Sequence, residues 1–354
     1  MDLAAFDFHL PDDLIAQEPL PDRAASRMLV LHRAETRWED RVFRDFPSYL
    51  HPGDCLVLND SRVFPARLLG RRAGVHALPV GRNNPKRNEH LSGEAEVFLL
   101  RPTANPREWT ALVHPGRKIG VGERILFPDG LECEVVARGE FGERTIRFSG
   151  EDDLYNEFDK IGHVPLPPYI KRADRADDRE RYQTVFARHR GSVAAPTAGL
   201  HFTREILEAC RARGAVIASV TLHVGLGTFQ PLHEKQIAES RLHSESYAIT
   251  EENAERIGAA QRLVCVGTTS VRTVETVFNE GGIAARSGET EIFIQPGYRF
   301  GGAGAMLTNF HLPQTSLLML VCAFAGTDFA LAAYRHAVES RYRFYSYGDC
   351  MLIV

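Results

Sequence analysis

Through the second half of the chain, short apolar runs alternate with polar loops rich in glycine and histidine. That spacing predicts strands feeding helices. It is clearest in SVAAPTAGLHFT (192–203) and VTLHVGLGTFQP (220–231), each an apolar run joined to a polar loop. Between them residues 203–213 are amphipathic, with Thr203 placed to cap the helix and Gly214 to stop it. Strand, loop, helix, strand, loop is the order of a right-handed βαβ unit. Parallel strands bring both loops to one sheet edge, where open α/β sheets bind ligands.

The arrangement recurs twice. LVCVG (263–267) predicts a buried strand running into Thr268, Thr269 and Ser270 and then a helix with Arg272 and Glu275. Residues 306–309 lead into FHLPQTS (310–316) and an apolar helix over 317–326. Four loops are thereby expected to deliver His201, His223, Thr269, Ser270, Arg272, Asn309 and His311 to one rim. Helix N-termini there add free N–H groups and partial positive charge. Thr197, Gly199, Gly225, Gly227 and Thr228 belong to the same loops, where glycine lets a ligand approach the backbone. Arg272 suits a carboxylate or phosphate, or equally an ion pair with Glu275 at i+3.

After Val63 the pattern changes to short strands over 95–100, 109–113, 124–127, 131–137 and 144–148, separated by Gly, Pro and Asn. Such spacing without helices predicts a small barrel or sandwich, of which an inserted barrel gives the simplest architecture. The expected fold is an α/β domain, residues 1–61 and 155–354, carrying an inserted β-barrel domain at 62–154. Asn59, Asp60 and Arg62 stand where the barrel is inserted, as ligand groups or as a hydrogen-bonded hinge. RYRFYSYGDCMLIV (341–354) predicts a terminal strand whose alternation puts Tyr347 and Asp349 together on one face.

With 354 residues, 44% hydrophobic and 25% charged, the chain has the composition of a globular protein. No run approaches the roughly 18 apolar residues of a membrane span. Residues 1–14 lack a basic segment before an apolar one, so a cytoplasmic protein is expected. Six cysteines without C-x-x-C spacing predict free buried thiols. The fourteen histidines lack H-E-x-x-H spacing, and no metal site is expected. The net charge of −4 weighs against nonspecific nucleic-acid binding, although local patches decide it. Residues 171–190 hold seven basic side chains against four acidic ones, a solvated surface or a phosphate-binding face. Gly225-x-Gly227 is no dinucleotide fingerprint, because Gln230 and Pro231 follow where a glycine and a helix belong. No P-loop and no G-x-S-x-G occurs.

LNDSRVFPARL, GHVPLPPYIKR, RYQTVFA, VAAPTAGLHFT, LHVGLGTFQP, VGTTSVRT, LTNFHLPQTSLLMLV and YRFYSYGD follow one another along the chain. In that order they resemble the S-adenosylmethionine:tRNA ribosyltransferase-isomerase family of queuosine biosynthesis. The resemblance implies an α/β domain with an inserted barrel, agreeing with the pattern above. It also implies S-adenosylmethionine as a ribosyl donor and, as partner, a tRNA with a 7-deazaguanine precursor at the wobble position. Adenine and methionine leave, and epoxyqueuosine forms. No membrane partner is implied, and a monomer is expected.

The chemistry needs a base for the C5′ proton beside the sulfonium, which His201 or His223 is expected to supply, with His311 on the same rim. Arg272, Thr269 and Ser270 are expected to hold the methionine carboxylate, and Asn309 the ribose or adenine. For the tRNA, the expected residues are Asn59, Arg62, Lys171, Arg172, Arg188, Tyr347 and Asp349. The family's tight barrel connection is replaced here by a polar segment, 75–93, expected to be a hairpin extension reaching RNA.

Overall fold

The protein is described here by a computed structural model covering residues 3–74, 93–140, 142–150, 153–225 and 234–354. It divides into two compact units. One holds residues 1–62, 167–173 and 180–354, the other 63–166 and 174–179. Residues 155–166 and 174–179, expected in the α/β part, thus group with the barrel. The reason is apolar: on the helix Tyr155–Ile161, Tyr155 and Phe158 pack edge-on against Trp109, beside Phe64 and Phe148. A helix that closes the barrel's own core belongs to it.

The chain opens with β1 (Arg27–His32), β2 (Arg37–Val42), β3 (Asp54–Asn59) and the short β4 (Ser61–Val63). The barrel strands follow: β5 (Arg67–Arg72), β6 (Glu94–Pro102), β7 (Glu108–His114), β8 (Arg124–Leu126), β9 (Glu132–Arg138) and β10 (Glu143–Phe148). They close in the order β10-β7-β6-β5-β8-β9, and β9 and β10 form the hairpin expected around residues 139–142. The chain then supplies β11 (His189–Ser192), β12 (Val216–Leu222), β13 (Arg241–Ile249) and β14 (Arg262–Val266). Last come β15 (Arg286–Ile292), β16 (Ala303–Asn309) and β17 (Cys350–Ile353).

The large sheet runs β15-β13-β12-β3-β14-β16-β17-β1-β2. β12, β3, β14 and β16 are mutually parallel. β17 lies antiparallel to β16 and parallel to β1. Every residue of β3, β16 and β17 but Gly304 is buried, as expected of strands covered on both faces. One face packs Val57, Val220, Cys265 and Met306 under the helices Thr268–Asn279, Ser316–Ala325 and Thr327–Glu339. The other packs Leu56, Val264 and Leu307 against Phe43, Phe46 and Phe202. All six cysteines are free and buried. Among the described residues no single helix is long and apolar enough to cross a membrane.

The expected βαβ unit differs in one strand. Residues 193–196 form no strand of the large sheet, and β11 pairs only with β4 in a separate ribbon. The parallel neighbour of β12 is instead β3, more than 150 residues earlier. The helix itself is as expected. Arg204–Ala212 is capped by Thr203, whose Oγ1 accepts from Ile206 N at 3.3 Å, and ends before Gly214 at φ +84°. Thr203→Ala is expected to cost about 1 kcal/mol, read as a lower urea midpoint with an unchanged slope.

Candidate functional site

The parallel strands β12, β3, β14 and β16 end at Leu222, Asn59, Val266 and Asn309, all on one edge. Because β17 runs the other way, its first residues reach this same edge from outside. β1, parallel to β17, starts there too. Asn59, His223, Gly267, Asn309, Asp349 and Ser26 therefore stand along one rim. The chain crossings, not local propensity, bring them together.

At the ends of β14 and β16 the rim opens into a cavity of about 570 Å³, within the usual range of roughly 300–1,000 Å³ for small-molecule sites. Thr197, Thr268, Thr269, Asn309, His311 and Gln314 supply much of its polar wall. Tyr169, Phe310 and Tyr345 supply aromatic surface. Among the described residues no Asp, Glu, Lys or Arg lines it. Its electrostatics come from dipoles. Gly267, at φ +85°, begins the helix Thr268–Asn279 without a side-chain cap, so the free N–H groups of the first turn are left at the wall. A second helix, Ser316–Ala325, starts beside it and is capped by Thr315 Oγ1, which accepts from Leu318 N.

Two buried polar atoms at this wall have no partner: Asn309 Oδ1 and Thr269 Oγ1. Buried polar groups are rarely left unpaired, and such atoms mark a place for a ligand or water. Asn309 is held firmly for the task. Its Nδ2 donates to the carbonyls of Tyr345 and Asp349 at 3.2 and 3.3 Å, and lies 3.2 Å from His201 Nε2. His311 contributes an imidazole whose Nε2 lies 2.8 Å from Thr308 Oγ1. Burial pushes its pKa down to about 3, so it is neutral at neutral pH.

The family model described as "Queuosine biosynthesis protein" matches residues 3–353. A protein of Solibacter usitatus named S-adenosylmethionine:tRNA ribosyltransferase-isomerase is 69% identical over the whole of both chains. One of the same name from Symbiobacterium thermophilum is 50% identical, again over both full lengths. The crystal structure of S-adenosylmethionine tRNA ribosyltransferase from Thermotoga maritima superposes with a TM-score of 0.55 at 36% identity, covering 99% of this chain and all of that one. The chain belongs to the queuosine biosynthesis protein family.

In this member of the family, the expected residues separate into wall and support. Thr197, Thr269, Asn309 and His311 line the cavity. His201 does not: it is buried behind Asn309, with Nδ1 2.9 Å from Ser26 Oγ and burial holding its pKa down to about 3. Both ring nitrogens are engaged, so it orients Asn309 rather than reaching into the cavity. His223 ends β12 outside the cavity wall, its ring so close to Gly191 that a Cβ there would come within 2.8 Å. Burial lowers its pKa, and Nδ1 is unpartnered. Ser270 spends its hydroxyl on Val266 O at 2.8 Å. Arg272 is buried in an ion pair, but with Glu245 rather than Glu275. Glu275 instead accepts from the amides of Gly301, Gly302 and Ala303. Glu245 also accepts from Gly225 N at 2.9 Å. Gly199 is required by packing, since a Cβ would meet Thr184 at 2.7 Å and Phe186 at 2.8 Å. Gly227, Thr228 and residues 75–92 of the polar segment lie outside the described residues.

Of the residues expected at the tRNA, Arg62, Lys171 and Arg188 are exposed. Arg172 is tied to Gln17 O and to Glu18. Asn59 is a buried clamp, binding Leu222 O, Leu222 N and Ser61 N. Asp349 is another, accepting from Arg27 N and Arg343 N. Tyr347 is buried against Tyr182. The alternation expected over residues 341–354 fails because only Cys350–Ile353 is strand and Tyr345 turns at φ +71°. That turn presents Tyr345 and Ser346 to the cavity in place of Tyr347 and Asp349. Sequence reasoning missed Tyr169, Gln314, Tyr345 and Ser346. Tyr169 stands in the PLPPYIKR motif, whose three prolines were the available signal of a rigid, ligand-facing loop.

Proposed function

We propose that the chain transfers and isomerises the ribosyl group of S-adenosylmethionine onto a 7-aminomethyl-7-deazaguanine at the tRNA wobble position. The products are epoxyqueuosine-tRNA, adenine and methionine. Membership of the family supports the reaction class. The observation that carries the assignment of the site is the uncharged cavity at the sheet edge, with its two unpaired polar atoms and its helix N-terminus. A sulfonium in such a cavity is not neutralised by a carboxylate, so its pull on the adjacent C5′ hydrogens is kept. The free N–H groups of Thr268 and Thr269, with Thr269 Oγ1, suit the methionine carboxylate. Asn309 Oδ1 accepts an N–H of the adenine amino group or a ribose hydroxyl. His311 is the neutral imidazole in the wall and takes the C5′ proton. It returns that proton to adenine as the C1′–N bond breaks and the base leaves. The aminomethyl nitrogen bonds to C1′ in place of adenine and loses its own proton. C5′ bonds to C1′ as the C1′–O4′ bond breaks, and the freed O4′ on C4′ displaces methionine sulfur from C5′ to close the epoxide.

This places the base at His311 rather than at His201 or His223. Tyr169 and Tyr345 offer aromatic surface for an extruded base. Arg62, Lys171 and Arg188 offer charges for the tRNA backbone. Mass spectrometry of precursor-bearing tRNA incubated with the protein and S-adenosylmethionine tests the reading. The expected result is a mass gain of the epoxycyclopentanediol, with adenine release that requires the tRNA. Adenine released equally well without RNA would identify a nucleoside hydrolase or lyase and overturn it.

A further inference from the structure

Ser346 borders both the cavity and a small notch on the same rim, lined in addition by Arg23, Ser26, Arg181, His201 and Tyr347. The notch has a volume of about 20 Å³, room for one water-sized group. Two guanidinium groups line it, those of Arg23 and Arg181, and the charge of a third, Arg343, reaches His201 in its wall. Arg23 donates to the carbonyls of Gln183, Leu200 and Glu180. Arg181 donates to the carbonyls of Leu20 and Pro21, and Arg343 to that of Glu18. These bonds fix the side chains without neutralising them, because carbonyls carry no net charge; the carboxylates of Glu180 and Asp349 offset Arg23 and Arg343 only through space. Acids of the neighbourhood have further partners of their own. Glu18 pairs with Arg172 and Asp22 with Arg44, while Asp349 is clamped on backbone amides.

The crowding of positive charge registers in its neighbours. Burial, and then the charge of Arg181, lower the pKa of Arg23; burial also lowers that of Arg343. After burial, the charges of Arg23 and Arg343 are the forces holding His201 neutral. Arg343 Nη1 is buried without a hydrogen-bond partner. A fork-shaped donor with an open valence in a concentrated positive field is the recognition element for a phosphate oxygen.

We propose that this notch receives a phosphodiester oxygen of the tRNA backbone next to the nucleotide whose base enters the cavity. The proposal rests on the reading that the cavity acts on a tRNA base. It adds Arg23 and Arg343 and, from the basic stretch 171–190, singles out Arg181, as the contacts that set the register of the strand. The neutral cavity takes the base, and the arginine notch, one residue away, takes the charge.

The test is the salt dependence of tRNA binding by the full chain, with Arg181→Gln and Arg343→Gln compared with the parent. Arg23 is left intact because it ties three segments together. For a single-stranded contact, loss of one phosphate interaction lowers the slope of log affinity against log salt by about 0.7. Each glutamine variant is expected to show that loss, with tRNA affinity several-fold weaker at low salt and converging with the parent at high salt. Arg181→Lys and Arg343→Lys, which keep the charge but not the fork, are expected to retain the parental slope. A purely structural role would give the lysine and glutamine variants the same slope as each other, and that result overturns the proposal. If inorganic phosphate protects the parent but not the glutamine variants against heat while the tRNA slopes coincide, the notch is a site for free anion, and the proposal fails likewise. Failure of the underlying reading is seen separately, as a parent protein that yields no tRNA-dependent adenine.

Discussion

His311→Gln is expected to lower turnover by about a hundredfold to ten-thousandfold, the usual worth of a positioned general base, while the protein stays folded. Glutamine can still reach Thr308 Oγ1, which His311 Nε2 meets at 2.8 Å. The substitution therefore removes a proton acceptor from the wall more than it removes packing. Adenine release from S-adenosylmethionine with precursor-bearing tRNA gives the rate, and titration of each substrate separates kcat from KM. The loss should fall on kcat, because His311 is assigned to the transition state and not to ground-state binding. His201→Gln provides the contrast. That imidazole lies behind Asn309 with both nitrogens engaged, so its loss should appear chiefly in the KM for S-adenosylmethionine. With its pKa pushed down to about 3, His311 is already neutral at pH 6.5, the ordinary histidine value. The kcat profile of the parent should accordingly show no acid limb there. Near-parental kcat in His311→Gln would remove His311 from the mechanism and return the question to His223.

The same burial makes the fold acid-sensitive well above the carboxylate range. His201 and His311 are both held neutral down to about pH 3 in the folded protein, against roughly 6.5 when unfolded. Below 6.5 the unfolded chain binds protons that the folded one refuses. The stability these groups contribute is thus present above 6.5 and is lost as the pH falls from 6.5 toward 3. Between pH 7 and pH 5 the pair is expected to cost on the order of 3 kcal/mol. For a protein of this size that is a drop in Tm of roughly 4 °C. His223, also lowered by burial, acts in the same direction. Asp60 and Asp349, whose carboxyls burial holds up, act in the opposite one. Calorimetry of the parent and of a His201→Asn, His311→Gln double variant at pH 7, 6 and 5 isolates the histidine part. A Tm that falls equally in both proteins would show that the two imidazoles do not drive the transition.

What could be read from the chain was local. Thr203 as a cap, Gly214 as a stop, the strands leading to Gly267 and Asn309, and the helix beginning at Ser316 all follow from residue types a few positions apart. The barrel was legible for the same reason, as its hairpins join near neighbours. Long crossings were not legible. Nothing near Val216 announces that its parallel partner is Cys55, and residues 193–196 have the texture of a buried strand without a sheet to join. Side-chain roles failed where a polar residue had two possible employers. Arg272 was read as a ligand-binding cation or a partner of Glu275, yet Glu245 arrives from a distant strand and claims it. Tyr345 and Tyr347 exchanged places because one residue adopts a positive φ that no alternation rule encodes.

The position of β17 has a consequence for how the protein is made. Residues 350–353 sit between β16 and β1, so the β1–β2 hairpin joins the rest of the sheet only through them. A nascent chain extended to Glu339 already contains Gly267, Asn309 and His311, but β1 still lacks the strand that seats it. β3 must likewise wait for residues some 160 positions downstream. Such non-local pairings fold slowly. Until then apolar runs such as MLVL and CLVL lack the strands that cover them in the finished sheet, the kind of surface that makes a folding intermediate prone to aggregate.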